Sequence, residues 1–282
     1  MLHAIPLFFR AFLWLLQASV TVLALSACSS LTEQKDEKAD WTAEQFYTEA
    51  KQALRDERFK KAIELYETLE TRFPFGIYAT QGQLEIGYAY YKSDEPDSAV
   101  GAADRFIKLH PRHPNVDYAH YLKGLVNYNR SIGFLERFIP TDSSQRDPGS
   151  ARDAFNDFQI LVDKFPKSRY AADSRQRMIA LRNNLAIHEI HVGRYYMKKQ
   201  AYVAAIKRMI YVIENYQRTP AIPIALKIME AAYKELAMND LAADAARVYA
   251  MNYPNGIPNS EYTDLSQSLA EDIWSFIGLD ED

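Results

Sequence analysis

One cysteine in 282 residues cannot pair within the chain, so no internal disulfide framework holds the fold. Glycine and proline are scarce, at 10 and 12 residues, which excludes collagen-like and low-complexity architectures. No glycine-rich phosphate loop, no Gly-x-Ser-x-Gly elbow and no His-Glu-x-x-His zinc pair occurs. His188 and His191, in HEIH, have the wrong spacing for that zinc pair, and His110 and His113, in HPRHP, belong to a turn. Both pairs are expected to be structural, with no metal and no cofactor. Basic excess is missing too. The 33 Lys and Arg stand against 37 Asp and Glu, for a net charge of −4, whereas a nucleic-acid partner calls for a basic face. The acids are spread along the chain and are expected to form solvated helix faces rather than catalytic pairs. Together these absences lead to the expectation that the chain is not an enzyme.

What is present is repetition. RFKKAIELYETLETRFP, from Arg58 to Pro74, sets Ala62, Tyr66, Leu69 and Pro74 at fixed intervals. The same spacing returns at Ala99, Ala103, Phe106 and Pro111, at Ala154, Phe158, Leu161 and Pro166, and at Ala242, Ala246, Tyr249 and Pro254. Small residues precede the alanines in the pairs Ala50/Ala62, Gly87/Ala99 and Gly193/Ala205. They let two antiparallel helices approach closely, while the bulky residues fill the groove one turn away. Each proline lacks an amide donor and disfavours helix in the residue before it, so it ends a helix. The pattern predicts an all-α fold: an α-solenoid of five tetratricopeptide-like helix hairpins plus a C-terminal helix.

The repeats place the solenoid at residues 42–256, with Thr42 and Gln45 forming a capping box at its start. In the third unit the spacing is broken by SIGFLERFIPTDSSQRDPGSAR, residues 131–152, read as an insert that is mostly loop. The fourth unit opens with a long helix, Ser168 to Lys198, and carries Gln217 where the others have proline. The fifth runs from Ile224 to Pro254. Residues 257–282 read as an amphipathic helix, with Leu265, Leu269, Ile273 and Ile277, and an acidic tail. The first helices carry Tyr47 and Leu54, then Leu84, Tyr88 and Tyr91, then Tyr118, Tyr121, Leu125 and Tyr128 at helical spacing. Such a stripe is either inter-helix core or an aromatic groove for an extended peptide.

The N-terminus has a different character. Arg10 precedes the uncharged apolar run Ala11 to Leu25, which is too short for a membrane span of about 20 residues. Residues 1–27 therefore read as a removable signal peptide. Leu25-Ser26-Ala27-Cys28 resembles the lipobox of bacterial lipoproteins. That resemblance implies acylation of Cys28, and Ser29 after it implies delivery to the outer membrane with the body in the periplasm. Residues 28–41 are polar and charged and read as a tether, reaching roughly 50 Å at full extension.

Three stretches carry a closer likeness. RFPFGIYATQGQLEIGYAYYK (72–92), DRFIKLHPRHPNVDY (104–118) and RDPGSARDAFNDF (146–158) resemble the BamD family of lipoproteins, part of the machinery that inserts β-barrels into the bacterial outer membrane. The resemblance implies a non-catalytic periplasmic scaffold. Its expected partners are the last periplasmic domain of BamA, other Bam lipoproteins and C-terminal segments of unfolded outer-membrane proteins. It places Arg208, in AYVAAIKRM, on the BamA side, and Tyr78, Tyr88 and Tyr91 in a substrate-peptide groove. A different lipid-anchored repeat adaptor, serving pilus assembly or cell division, is the alternative. A hydrolase wrapped in helical repeats would need a catalytic module for which the repeats leave no room.

Overall fold

The computed structural model describes residues 38–132, Ser144 and residues 147–256. Cys28, the tether up to residue 37, most of the 131–152 segment and the tail 257–282 lie outside the described residues. Among the described residues stand ten α-helices and no strand: α1 Ala43–Arg55, α2 Phe59–Arg72, α3 Ile77–Lys92, α4 Pro96–Leu109, α5 Val116–Ile132, α6 Gly149–Lys164, α7 Ala171–Lys198, α8 Tyr202–Asn215, α9 Ala221–Glu235 and α10 Asn239–Asn252. Each helix packs on the next in the chain, and the first helices also pack on one another, α1 on α3, α3 on α5 and α7 on α9. Contacts of this kind, confined to neighbours, make an α-solenoid of five tetratricopeptide-like hairpins.

Local chemistry sets the ends of these helices. Thr42 caps α1: its hydroxyl accepts from the Gln45 amide at 3.3 Å, and the Gln45 side chain accepts from the Thr42 amide at 2.8 Å. The helices α2, α4, α6 and α10 stop at Arg72, Leu109, Lys164 and Asn252, each two residues before a proline. The residue between is Phe73, His110, Phe165 or Tyr253, held out of the helical region at φ between −132° and −127° and ψ between 53° and 70°. Helix α8 ends in the same register before Gln217, with Tyr216 at φ −119°. There the chain takes the bend without a proline, because Tyr216 is buried in the core around Phe158 and Leu185.

Three expected boundaries shift. The long helix of the fourth unit begins at Ala171 rather than Ser168. The fifth unit begins at Ala221 rather than Ile224, since Pro220 caps α9 and Pro223 lies in its first turn, where amides have no helical acceptor anyway. The segment 131–152 is helical at both edges: α5 continues to Ile132 and α6 resumes at Gly149, whose amide donates to Asp147 Oδ1 at 3.3 Å.

Glycines mark the closest helix approaches. A Cβ on Gly124 of α5 would lie 2.6 Å from the Phe158 ring of α6, and one on Gly193 of α7 would lie 2.4 Å from the Met209 methyl of α8. The largest buried clusters gather around Phe46, Tyr66 and Leu69 at one end and around Phe158, Leu185 and Met209 at the other. Local cores of this sort leave the faces of the first helices to form a groove.

Candidate functional site

The first helices α1, α3 and α5 lie side by side, and between them opens a cavity of about 560 Å³. Leu54, Leu84, Tyr88 and Tyr118 give it an apolar and aromatic floor. The Tyr170 ring, from the turn before α7, closes one side, 5.7 Å from Tyr118 and stacked on Tyr121 at 4.6 Å. Lys51, Arg55 and Arg169 supply positive charge around the opening. The Arg169 guanidinium lies over the Tyr170 ring at 4.8 Å and donates to its hydroxyl at 2.6 Å. On the same wall Asp117 accepts from Ser168 Oγ at 2.6 Å, tying α5 to that turn.

Glu85 is the polar hub of this groove. One carboxylate oxygen accepts from Tyr47 at 3.0 Å and from Gln81 at 2.9 Å, and Lys51 Nζ stands 3.5 Å away. The other accepts from the buried Tyr66 hydroxyl at 2.6 Å. Burial, and then the bond to Glu85, pushes the Tyr66 phenol well above its ordinary range, so it remains a donor at any physiological pH. Burial also raises Tyr47, against the lowering effect of Lys51. The hub joins α1, α2 and α3, so the groove wall is stiff.

Of the three tyrosines expected in the groove, only Tyr88 lines this cavity. Tyr78, at the start of α3, packs on Tyr47 at 5.5 Å. Tyr91 packs into the core beside Ala99 and Leu122 and accepts a hydrogen bond from Asn129. The stripe divides in the same way: Leu54, Leu84 and Tyr118 reach the cavity, whereas Tyr121, Leu125 and Tyr128 pack against the core around Phe158. Sequence reasoning missed Arg169 and Tyr170, which sit in a turn where no periodicity could single them out.

Arg208 on α8 reaches Glu189 of α7 at 3.2 Å, and Arg152 of α6 reaches the other oxygen of that carboxylate at 3.6 Å. Glu189 is 2% exposed, while the arginine side chains are 44% and 51% exposed. The expectation that the acidic residues form solvated helix faces is therefore corrected for two of them. Glu189 is buried under two guanidiniums, and Asp157 is buried with Asn127 at 2.8 Å and Lys123 at 3.4 Å. Burial raises the Asp157 pKa against both partners. Such pairing is what makes a buried charge tolerable where close helix packing excludes water.

His188 and His191 meet the same residue. His188 Nδ1 lies 2.7 Å from the Ser144 carbonyl, to which it donates, and His191 Nε2 lies 2.9 Å from the Ser144 hydroxyl. His110 Nε2 bonds to Gln83 at 2.8 Å, and the Asn115 amide donates to His113 at 3.1 Å. Among the described residues no group of His, Cys, Asp and Glu is arranged to hold a metal ion, and no helix is long and apolar enough to cross a membrane.

The profile of the YfiO family, described as outer membrane lipoprotein, matches residues 39–248. A relative from Neisseria meningitidis serogroup B (strain ATCC BAA-335 / MC58), named outer membrane protein assembly factor BamD, is 47% identical over 82% of this chain and 88% of its own length. Proteins with the same name from Xylella fastidiosa (strain Temecula1 / ATCC 700964) and Vibrio cholerae serotype O1 are each 34% identical, covering 89% and 82% of this chain and 85% and 96% of their own lengths. The chain, folded as the five-hairpin solenoid described above, belongs to the YfiO (BamD) family.

Proposed function

We propose that the chain is a non-catalytic scaffold of outer-membrane β-barrel protein assembly, anchored at the outer membrane through acylated Cys28 with its body in the periplasm. The names of its relatives support the assembly role. The single structural observation that carries the mechanism is the groove of α1, α3 and α5, an aromatic lining of Tyr88, Tyr118 and Tyr170 beside the cations Lys51, Arg55 and Arg169. An extended peptide ending in an aromatic residue and a free carboxylate matches both halves of that surface. The C-terminal segments of unfolded barrel proteins have this chemistry. A few aromatic contacts and one ion pair give weak, releasable binding, as a delivery step needs.

The opposite end of the solenoid is assigned to the last periplasmic domain of BamA, with Arg208 on the docking face and the other Bam lipoproteins as further neighbours. Arg208 keeps 44% of its side chain exposed while paired to Glu189, so it has one side left for a partner carboxylate. Affinity capture of the tagged, lipidated protein from outer membranes tests the reading. Recovery of BamA, reduced at least about fivefold by Arg208→Glu, supports it; recovery of pilus or division proteins instead overturns it. For the groove, a synthetic barrel C-terminal peptide should bind wild type and lose about tenfold in affinity with Tyr88→Ser. Equal binding by both would remove the groove from the mechanism.

A further inference from the structure

The turn between α2 and α3 is unlike its counterparts. Phe75 is 89% exposed and Ile77 is 80% exposed, more than any other large apolar side chain among the described residues. They flank Gly76, whose φ of +106° lets the chain reverse sharply. The position of Phe75, one residue past the proline register, is filled by Arg112, Lys167, Arg218 and Asn255 in the other units. The position of Ile77 is filled by Pro114, Arg169 and Pro220 in the second to fourth units. Ile257 takes the second place in the fifth unit, so the solenoid needs no apolar residue at the first place and only the first unit puts large ones at both.

That unit is also where the chain comes from the membrane anchor. Arg72 Nη1 donates to the Lys38 carbonyl at 2.9 Å, which pins the incoming chain beside the end of α2, three residues before Phe75. Ten residues separate Lys38 from Cys28, a reach of at most about 35 Å extended and nearer 18 Å as a coil. The same corner carries Trp41 with the Lys38 ammonium over its ring at 5.5 Å, an amphipathic aromatic and a cation of the kind found at lipid headgroups.

We propose that the Phe75–Gly76–Ile77 turn is a second membrane contact: it seats in the lipid surface that holds the acylated Cys28. An acyl anchor alone leaves the body free to pivot. A second apolar point at the tether corner restricts that pivot and sets which way the groove faces. The inference rests on acylation of Cys28, and its test keeps the two apart.

The test uses the mature lipidated chain in vesicles of phosphatidylethanolamine and phosphatidylglycerol with brominated acyl chains. Trp41 and Trp274 are replaced by Phe, and a reporter tryptophan is placed by Phe75→Trp or, as a control at another exposed site, by Met251→Trp. Mass spectrometry and vesicle flotation verify the anchor independently. The reporter at 75 should lose about half of its emission to bromine quenching and shift to the blue, while the reporter at 251 stays unchanged. A chain that is acylated and floats, yet shows equal quenching at both positions, overturns the membrane contact and leaves the anchor standing. A chain without acyl groups overturns both. Shielding of the reporter at 75 only after addition of another outer-membrane protein, or only as the chain dimerises, assigns the turn to a protein partner and also overturns the contact.

Discussion

Two carboxylates organise the two ends of this solenoid, and they are held in opposite ways. Glu85, in the first half, is surrounded mainly by neutral donors, the hydroxyls of Tyr47 and Tyr66 and the amide of Gln81, with Lys51 farther off at 3.5 Å. Glu189, in the second half, is 2% exposed and faces two guanidiniums from two other helices. The neutral network leaves one side of Glu85 toward a cavity, so the polar hub and the groove coexist. The charged cluster closes on itself and presents only the outer sides of Arg152 and Arg208. The difference teaches that a helix stack can spend a carboxylate on shaping a binding surface or on locking neighbouring units, and that the choice lies in whether its partners are neutral or charged.

The largest test of this contrast removes the charges around Glu189. Replacing Arg152 and Arg208 together by alanine leaves a buried carboxylate without compensation and should cost about 3–5 kcal/mol in urea unfolding. Glu189→Leu should stay within about 1 kcal/mol of wild type, because the two arginines are half exposed and can return to water. If the double arginine variant costs no more than Glu189→Leu, the lock is not electrostatic. Next in size are the two close helix approaches made at glycine. Gly124→Ala drives a Cβ into the Phe158 ring, which cannot deform, and should destabilise by about 1–3 kcal/mol. Gly193→Ala meets only the flexible Met209 methyl and should be close to neutral, since alanine also favours the helix by roughly 1 kcal/mol. Calorimetry on the pair would show whether packing near Glu189 is as adaptable as this implies.

A smaller effect belongs to the neutral network. Tyr66→Phe removes one hydrogen bond to Glu85 and should cost about 1 kcal/mol, with the peptide affinity of the groove unchanged, because Glu85 keeps its other donors. Loss of binding on a par with Tyr88→Ser would mean the network shapes the site more directly. The smallest is a pH effect that separates background titration from both carboxylates. Burial against Phe165, aided by Lys164 and Lys123, holds the His120 pKa below its ordinary value despite Asp104 and Asp117. A lowered histidine pKa gives stability that is present above the unfolded value of about 6.5 and lost as pH falls toward the folded value. Urea midpoints of His120→Gln should therefore fall less than those of wild type between pH 7 and the folded pKa. Parallel curves would exclude His120.

How far the sequence foretold this structure depended on the range of the physics involved. Helix ends were legible at Pro74, Pro111, Pro166 and Pro254, because proline acts on its own backbone and that of its neighbour. The same end at Gln217 is set by burial of Tyr216, a long-range effect with no local mark. Helical spacing revealed the stripe of Tyr88, Tyr91, Tyr118 and Tyr121 but not its division. First helices bury one flank and leave the adjoining flank to the cavity, so neighbouring positions on one stripe meet different fates. Glu189 looked like any surface acid, since its partners lie on two other helices. In sequence Arg208 is a charge free to face a partner; its bond to a buried glutamate depends on α7 and α8 lying together.

The bonds from His188 and His191 to Ser144 bear on how the molecule comes apart. In a helical array each hairpin touches its neighbours alone, and such arrays can lose structure unit by unit. Here Ser144, between α5 and α6 in the chain, is fastened to α7, a helix of the following unit. Opening the seam between the third and fourth units must then release a crossing as well as a packed face. The middle of the array should exchange its amide protons as one cooperative block, with fraying confined to the two ends.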